Sequence, residues 1–166
     1  MTDDPEPRFM VDCMLGRLAR WLRILGYDVA YERSIQDDAL IARCRREGRA
    51  LITRDNALAA RRALRGNGTR VVLISAEATE AQLAQVIRET GVPPSPGHLL
   101  TRCLECNEAL EAAEPAGVAG RVPPYVAATQ RRFSSCPACG RVYWRATHVQ
   151  GILARLARHG WGPSPA

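Results

Sequence analysis

The stretch Phe9–Gly26, FMVDCMLGRLARWLRILG, decides how the chain is read. A short apolar run, Phe9-Met10-Val11, stops at a carboxylate, Asp12. Leu15, Leu18, Ala19, Leu22 and Leu25 then recur at spacings of three and four, which is one face of a helix, while Arg17, Arg20 and Arg23 fall on other faces. Gly26 offers a left-handed stop. The segment therefore reads as a strand over Phe9–Asp12, an acid at its carboxyl end, and a helix over Met14–Leu25. Open α/β sheets bind ligands at that edge, so Asp12 is a candidate functional group.

The same unit recurs along the chain. Tyr27–Glu32 reads as a second strand, Asp37–Glu47 as a helix stopped by Gly48, and Ala50–Thr53 as a third strand followed by Arg54-Asp55. A helix is expected from Asn56 to Arg65, a fourth strand over Val71–Ile74 and a fourth helix over Thr79–Thr90. Short apolar strands alternating with helices predict an α/β fold, a parallel sheet with helices on both faces. Right-handed crossovers place all the strand carboxyl ends on one edge. The run Gly91–Gly97, GVPPSPG, cannot continue a helix and reads as a linker. The expected division is 8–91 for the α/β domain, 99–148 for a second module and 149–160 for a last amphipathic helix, with a fraying tail beyond.

Composition bounds the function. No apolar run in the 166 residues approaches the ~18–20 needed to cross a membrane. The start, MTDDPEPR, is no signal peptide, so a cytoplasmic location is expected, and six cysteines there do not read as three disulfides. The net charge of +6 is compatible with a nucleic-acid partner. Every one of the 23 basic residues is arginine, a bias that codon usage in a GC-rich genome explains as well as function does. Residues 101–166 carry 8 arginines against 4 acids, so the second half holds most of the excess.

Two constellations carry chemistry. In the first, Asp12 ends strand one, Asp55 follows strand three, and Asp37 opens the second helix with Asp38 beside it. Carboxylates ~5 Å apart repel by roughly 3 kcal/mol per pair at an effective dielectric of ~20, so protons or divalent cations must offset them. Hard oxygen ligands suit Mg²⁺ or Mn²⁺, which can support attack on a phosphodiester. Asp37 and Asp55 can equally cap helices, and Asp38 can serve the helix dipole. Arg17 and Arg54 near the same edge could meet phosphate.

In the second constellation, Cys103-x₂-Cys106 and Cys136-x₂-Cys139 are separated by 29 residues. Four thiolates in this arrangement read as a closed structural zinc site, and a small module with few large apolar groups needs the metal to fold. Cys13 and Cys44 read as core thiols. Arginines interleaved with aromatics, including Arg121, Tyr125, Arg131, Arg132, Tyr143, Trp144 and Arg145, could grip RNA, while Tyr143 and Trp144 could instead form the module's small core. His148 could contact a phosphate or simply pack.

The segments VDCMLGRLARWLRILGYDVAY and DDALIARCRREGRALITRD resemble the Mut-7 C-terminal RNase domain family. So do RVPPYV between the cysteine pairs and CGRVYWRATH at the end. The resemblance implies a PIN-like nuclease fold followed by a Cys₄ zinc ribbon. It implies that Asp12, Asp37 and Asp55 form a PIN-type acidic site. Such nucleases commonly place a further acid after the fourth strand; here Ser75-Ala76 follow Ile74 and Glu77 is the nearest. The expected activity is metal-dependent cleavage of RNA, with bound Zn²⁺ and with Mg²⁺ or Mn²⁺, and with Arg17, Arg54, Arg121 and Arg145 on the substrate. The other reading kept open is a non-catalytic RNA- or ribosome-associated zinc protein.

Overall fold

The computed structural model describes residues 7–66, 68–145 and 147–158, and of Pro96, Thr147 and His148 the backbone only. The side chain of His148 and the expected fraying tail lie outside the described residues. Four parallel strands form one sheet: β1 (Arg8–Val11), β2 (Asp28–Tyr31), β3 (Ala50–Thr53) and β4 (Val71–Leu73). Their order is β2-β1-β3-β4. The helices between and after them are α1 (Gly16–Ile24), α2 (Asp37–Glu47), α3 (Asn56–Ala59), α4 (Arg62–Arg65) and α5 (Thr79–Thr90).

Side chains alternate across the sheet as strand geometry requires. Phe9, Val11, Val29, Ile52 and Val72 enter one core with Leu18 and Leu22 of α1 and Leu83, Val86 and Ile87 of α5. Met10, Ala30 and Leu51 enter a second core with Leu40, Ile41 and Cys44 of α2, Leu58 and Leu64. The sheet is thus covered on both faces, as the unbroken apolar strands predict.

Several elements differ from expectation: β2 runs Asp28–Tyr31 instead of Tyr27–Glu32, β4 ends at Leu73 instead of Ile74, and α1 ends at Ile24 instead of Leu25. β1 stops at Val11, so Asp12 stands just beyond it, and a 3₁₀ turn over Cys13–Leu15 precedes α1. The helix expected over Asn56–Arg65 is two helices, broken where Arg61 turns to φ −57, ψ 129. Leu58 of α3 and Leu64 of α4 both reach the second core. Cys13 is exposed, not a core thiol; only Cys44 is buried as expected.

The second module holds an antiparallel sheet of β5 (Glu111–Ala113), β6 (Phe133–Ser135) and β7 (Val142–Trp144), ordered β5-β6-β7. Short helices α6 (Pro115–Val118) and α7 (Pro124–Thr129) cover a small core of Val118, Val122 and Phe133, against which Trp144 packs. The last helix, α8 (Thr147–Arg158), returns to the first core through Val149, Ile152 and Leu156, with Arg155 bonded to Glu80 of α5 at 2.8 Å. No helix among the described residues is long and apolar enough to cross a membrane.

The proline-rich run is held against the first domain. Tyr27 donates to the Val92 carbonyl at 2.7 Å, and the Leu100 amide donates to the Ile24 carbonyl at 2.9 Å. Gly26 has φ +90, and a Cβ there would lie 2.0 Å from the His98 carbonyl oxygen. Glycine at this stop is therefore required by the chain passing over it as well as by the turn.

Candidate functional site

In the order β2-β1-β3-β4 the chain departs from β1 in both directions, so the switch point lies between β1 and β3. Asp12 follows β1 there and is 6 % exposed. Its backbone amide donates to the Ile52 carbonyl at 2.9 Å, which fixes it to β3. The Thr53 hydroxyl, fully buried, donates to Asp12 Oδ2 at 2.8 Å and accepts from the Asp55 amide at 3.0 Å. One hydroxyl thus ties the first acid to the loop that carries another. Thr53 is more than a strand former.

Asp55 caps α3. Its Oδ1 accepts from the Ala57 amide at 2.7 Å and the Leu58 amide at 3.1 Å. Asp37 and Asp38 open α2, and Arg61 spans them, donating to Asp37 Oδ2 at 3.2 Å and Asp38 Oδ1 at 2.9 Å. The break between α3 and α4 is what brings Arg61 to this position. Nothing in the sequence marks Arg61, because its reach depends on that break.

All three candidate acids therefore lie at the carboxyl edge of the sheet, but they do not form a ready-made cluster. Among the described residues, the four cysteines are the only group of three or more metal-binding side chains with ligand atoms within 4.8 Å of one another. Carboxylate oxygens are the right donors for a hard divalent cation. Asp55 is half committed to its helix and Asp37 to Arg61, so the set is not assembled as it stands.

Around these acids, Arg17 and Arg54 are exposed, as are Cys13 and Met14. A hydrogen bond to Asp12, burial and the Asp12 charge together push the Cys13 thiol up. Glu77 is exposed after β4, and its carbonyl accepts from Gln82 at 3.0 Å. Gln85 is buried and holds the same loop through the Ser75 amide at 3.1 Å and the Leu73 carbonyl at 2.9 Å. These two glutamines were not legible in sequence, where they look like solvated helix residues.

The cysteines come together as their spacing predicts. Cys103 and Cys139 sulfurs lie 3.6 Å apart, and those of Cys106 and Cys136 lie 3.3 Å apart. Four sulfurs ~2.3 Å from one tetrahedral ion are about 3.8 Å apart, so the set could form a zinc site. The two knuckles share one backbone plan. The Asn107 amide donates to the Cys103 carbonyl and the Gly140 amide to the Cys136 carbonyl, at 3.0 and 2.9 Å. The Cys103 amide donates to Glu108 and the Cys136 amide to Arg141, at 2.8 and 2.9 Å. Asn107 at φ 66 and Gly140 at φ 73 occupy the left-handed position of each turn. Asparagine is among the few side chains that accept it.

The surroundings tune these thiols. Burial pushes the Cys103 thiol up, but the Tyr143 hydroxyl at 3.2 Å and the amides of Cys106 and Glu105 outweigh it and hold it down to about 6. Burial and the neighbouring sulfurs push Cys106 up to about 12. Without an ion the four cannot all ionise together; a cation relieves that repulsion. Tyr143 therefore serves the cysteines, whereas Phe133 and Trp144 serve the small core. Arg121 donates to the Gly140 carbonyl and so braces the second knuckle while remaining exposed. Arg145 is exposed, and so is Tyr125, at 77 %.

The first knuckle also completes the parallel sheet. The outer edge of β2 is closed at Val29. Its amide donates to Asn107 Oδ1 at 2.8 Å, and its carbonyl accepts from Arg23 Nε and Nη2 at 3.0 and 2.8 Å. Arg23 Nη1 reaches on to the Leu104 and Glu105 carbonyls inside the knuckle, at 2.9 and 3.0 Å. Burial lowers the Arg23 pKa, opposed by the Cys103 and Cys106 charges.

The family model of the Mut7-C RNAse domain matches residues 7–156, which takes in both the acidic edge and the cysteine cluster. The chain belongs to the Mut7-C RNAse domain family. Neither curated proteins nor solved structures give a match. Membership joins the two constellations in a single family unit, since the matched span begins before β1 and ends within α8. A Mut7-C RNAse domain is nuclease-like.

Proposed function

We propose that this Mut7-C protein is a metal-dependent endoribonuclease whose site is the carboxyl edge of the parallel sheet. The observation that carries the reading is the buried Asp12 at the switch point, held by Thr53, whose hydroxyl also fixes the Asp55 loop. Burying a carboxylate is costly unless it is hydrogen-bonded or paired with a cation, and Asp12 accepts from Thr53. Asp12 and Asp55 would hold a Mg²⁺ or Mn²⁺ ion, joined by Asp37 once Arg61 releases it. Such an ion supplies Lewis-acid stabilisation of charge on the phosphodiester.

The chain's own groups do the rest. Thr53 fixes the Asp12 carboxylate in one orientation, and capping fixes Asp55 on the first turn of α3. Arg17, Arg54, Arg121 and Arg145, all exposed, would meet RNA phosphates. Zn²⁺ would sit in the Cys103, Cys106, Cys136 and Cys139 cluster as a structural ion, with no open position for chemistry.

The test is cleavage of a labelled single-stranded RNA with Mn²⁺, Mg²⁺ or EDTA, by the wild type and an Asp12→Asn/Asp55→Asn variant. Metal-dependent cleavage lost in the variant, with zinc content and fold intact, is the expected result. Cleavage that persists in the variant overturns the site. The pairing of Asp37 with Arg61 favours a second reading, a non-catalytic RNA-binding member. In that case no metal gives cleavage, and both proteins bind RNA alike.

A further inference from the structure

An open cavity lies at the other end of the sheet, where the strands begin. It has a volume of about 710 Å³. Among the described residues five arginines line it and no carboxylate does: Arg8 at the start of β1, Arg45 and Arg46 in the last turn of α2, Arg49 before β3 and Arg70 before β4. Arg8, Arg45, Arg46 and Arg70 are exposed.

The charges there do not balance. Among the described residues, the acids paired with these five arginines are Asp28 and Glu47. Arg8 lies 3.6 Å and Arg49 2.8 Å from Asp28; Arg46 lies 3.0 Å and Arg49 2.5 Å from Glu47. The two acids are shared further, Asp28 with Arg102 at 4.0 Å and Glu47 with Arg43 at 2.9 Å. Arg70 donates to the backbone carbonyls of Glu89 and Thr90. The carboxyl end of α2 adds about half a negative charge, which among the described residues still leaves about two positive charges uncompensated in an open cleft. Such a cleft concentrates anions, and guanidinium forks match phosphate oxygens.

We propose that this cleft is a second binding site, for the phosphate backbone of single-stranded RNA, at the opposite end of the sheet from Asp12. It rests on the reading of the protein as RNA-directed. Among the described residues no aromatic side chain lines the cleft, so it grips phosphate without stacking bases, and its contribution is independent of sequence. The strands of the sheet separate it from the acidic edge by about 13 Å, four residues of ~3.3 Å each. It therefore anchors RNA beyond the segment at Asp12.

The experiment is binding of a fluorescent single-stranded RNA to the full chain in EDTA, across a range of salt. The proteins compared are the wild type, Arg45→Ala/Arg46→Ala/Arg70→Ala and the matching triple lysine variant. Each phosphate neutralised contributes a slope of about −0.7 in log affinity against log salt. The triple alanine variant should lose about two units of slope and about a hundredfold in affinity at 0.1 M salt. Lysines should restore most of both. Wild-type affinity and slope in the triple alanine variant overturn the cleft. Wild-type RNA binding that depends on the cleft, without metal-dependent cleavage, upholds it and removes the nuclease reading. No RNA binding by the wild type at low salt removes both.

Discussion

At the residue scale, the acids of the site have structural duties that set what substitutions can reveal. Asp55 caps α3 through Oδ1. Asp55→Ala should cost about 1 kcal/mol of stability as well as activity, whereas Asp55→Asn keeps the cap and removes only the charge. Chemical denaturation beside RNA cleavage separates the two; equal stability loss in both variants would contradict the capping role. Arg61 holds Asp37 and Asp38. Arg61→Ala should raise Mn²⁺ affinity at the acidic edge several-fold, read by electron paramagnetic resonance of free Mn²⁺, because a competing cation is gone. Glu47 is depressed to about 2, mainly by Arg49, with help from Arg43 and Arg46. A carboxylate so depressed stabilises the fold above its ordinary value of 4.5 and loses that contribution as pH falls towards 2. Thermal midpoints of the wild type should therefore fall between pH 4.5 and 2 more steeply than those of Glu47→Gln.

At the element scale, both edges of the parallel sheet are closed by side chains from elsewhere. Open edges pair with other chains. Gln85 of α5 covers β4 at the Leu73 carbonyl, and Asn107 and Arg23 cover β2 at Val29. Asn107→Ala leaves the Val29 amide without its acceptor, at a cost of about 1–3 kcal/mol. It should speed hydrogen exchange at the Val29 amide while the cysteine site still binds zinc. Unchanged exchange there would mean that the edge is closed by other means. The divided helix over Asn56–Arg65 belongs to the same scale. Its two halves each send one leucine, Leu58 and Leu64, into the second core, and Arg61 stands at the break between them.

At the scale of the whole molecule, the cysteine module is joined to the sheet through its first knuckle. Asn107 closes the Cys103 turn and also holds β2, and Arg23 links Val29 to the carbonyls of Leu104 and Glu105. Helix α8 then runs back from the module to the first core. Removing zinc should therefore loosen more than the module. Chelation should lower the melting temperature of the whole chain and speed exchange along β2, monitored by hydrogen exchange and calorimetry. A chelated protein whose β2 amides exchange at the wild-type rate would show the two parts to be independent. The acidic edge and the arginine cleft at opposite ends of one sheet give the molecule a polarity that neither composition nor net charge reveals.

The sequence by itself determined the α/β class, the bounds of α2, β3 and α5, and the gathering of the four cysteines. Each of these follows from local patterns: alternating burial, helical periodicity with a glycine stop, and paired C-x₂-C turns. It also placed Asp12 at a strand's end, since an acid closing an apolar run needs no tertiary knowledge to be noticed. Only the tertiary structure decided that Thr53 joins Asp12 to the Asp55 loop, that Arg61 occupies Asp37, that Cys13 faces solvent and that Asn107 completes an edge strand. Each of those depends on which strand lies beside which and on where a helix breaks. Those are set by packing between segments far apart in the chain, and no window along the sequence contains both partners.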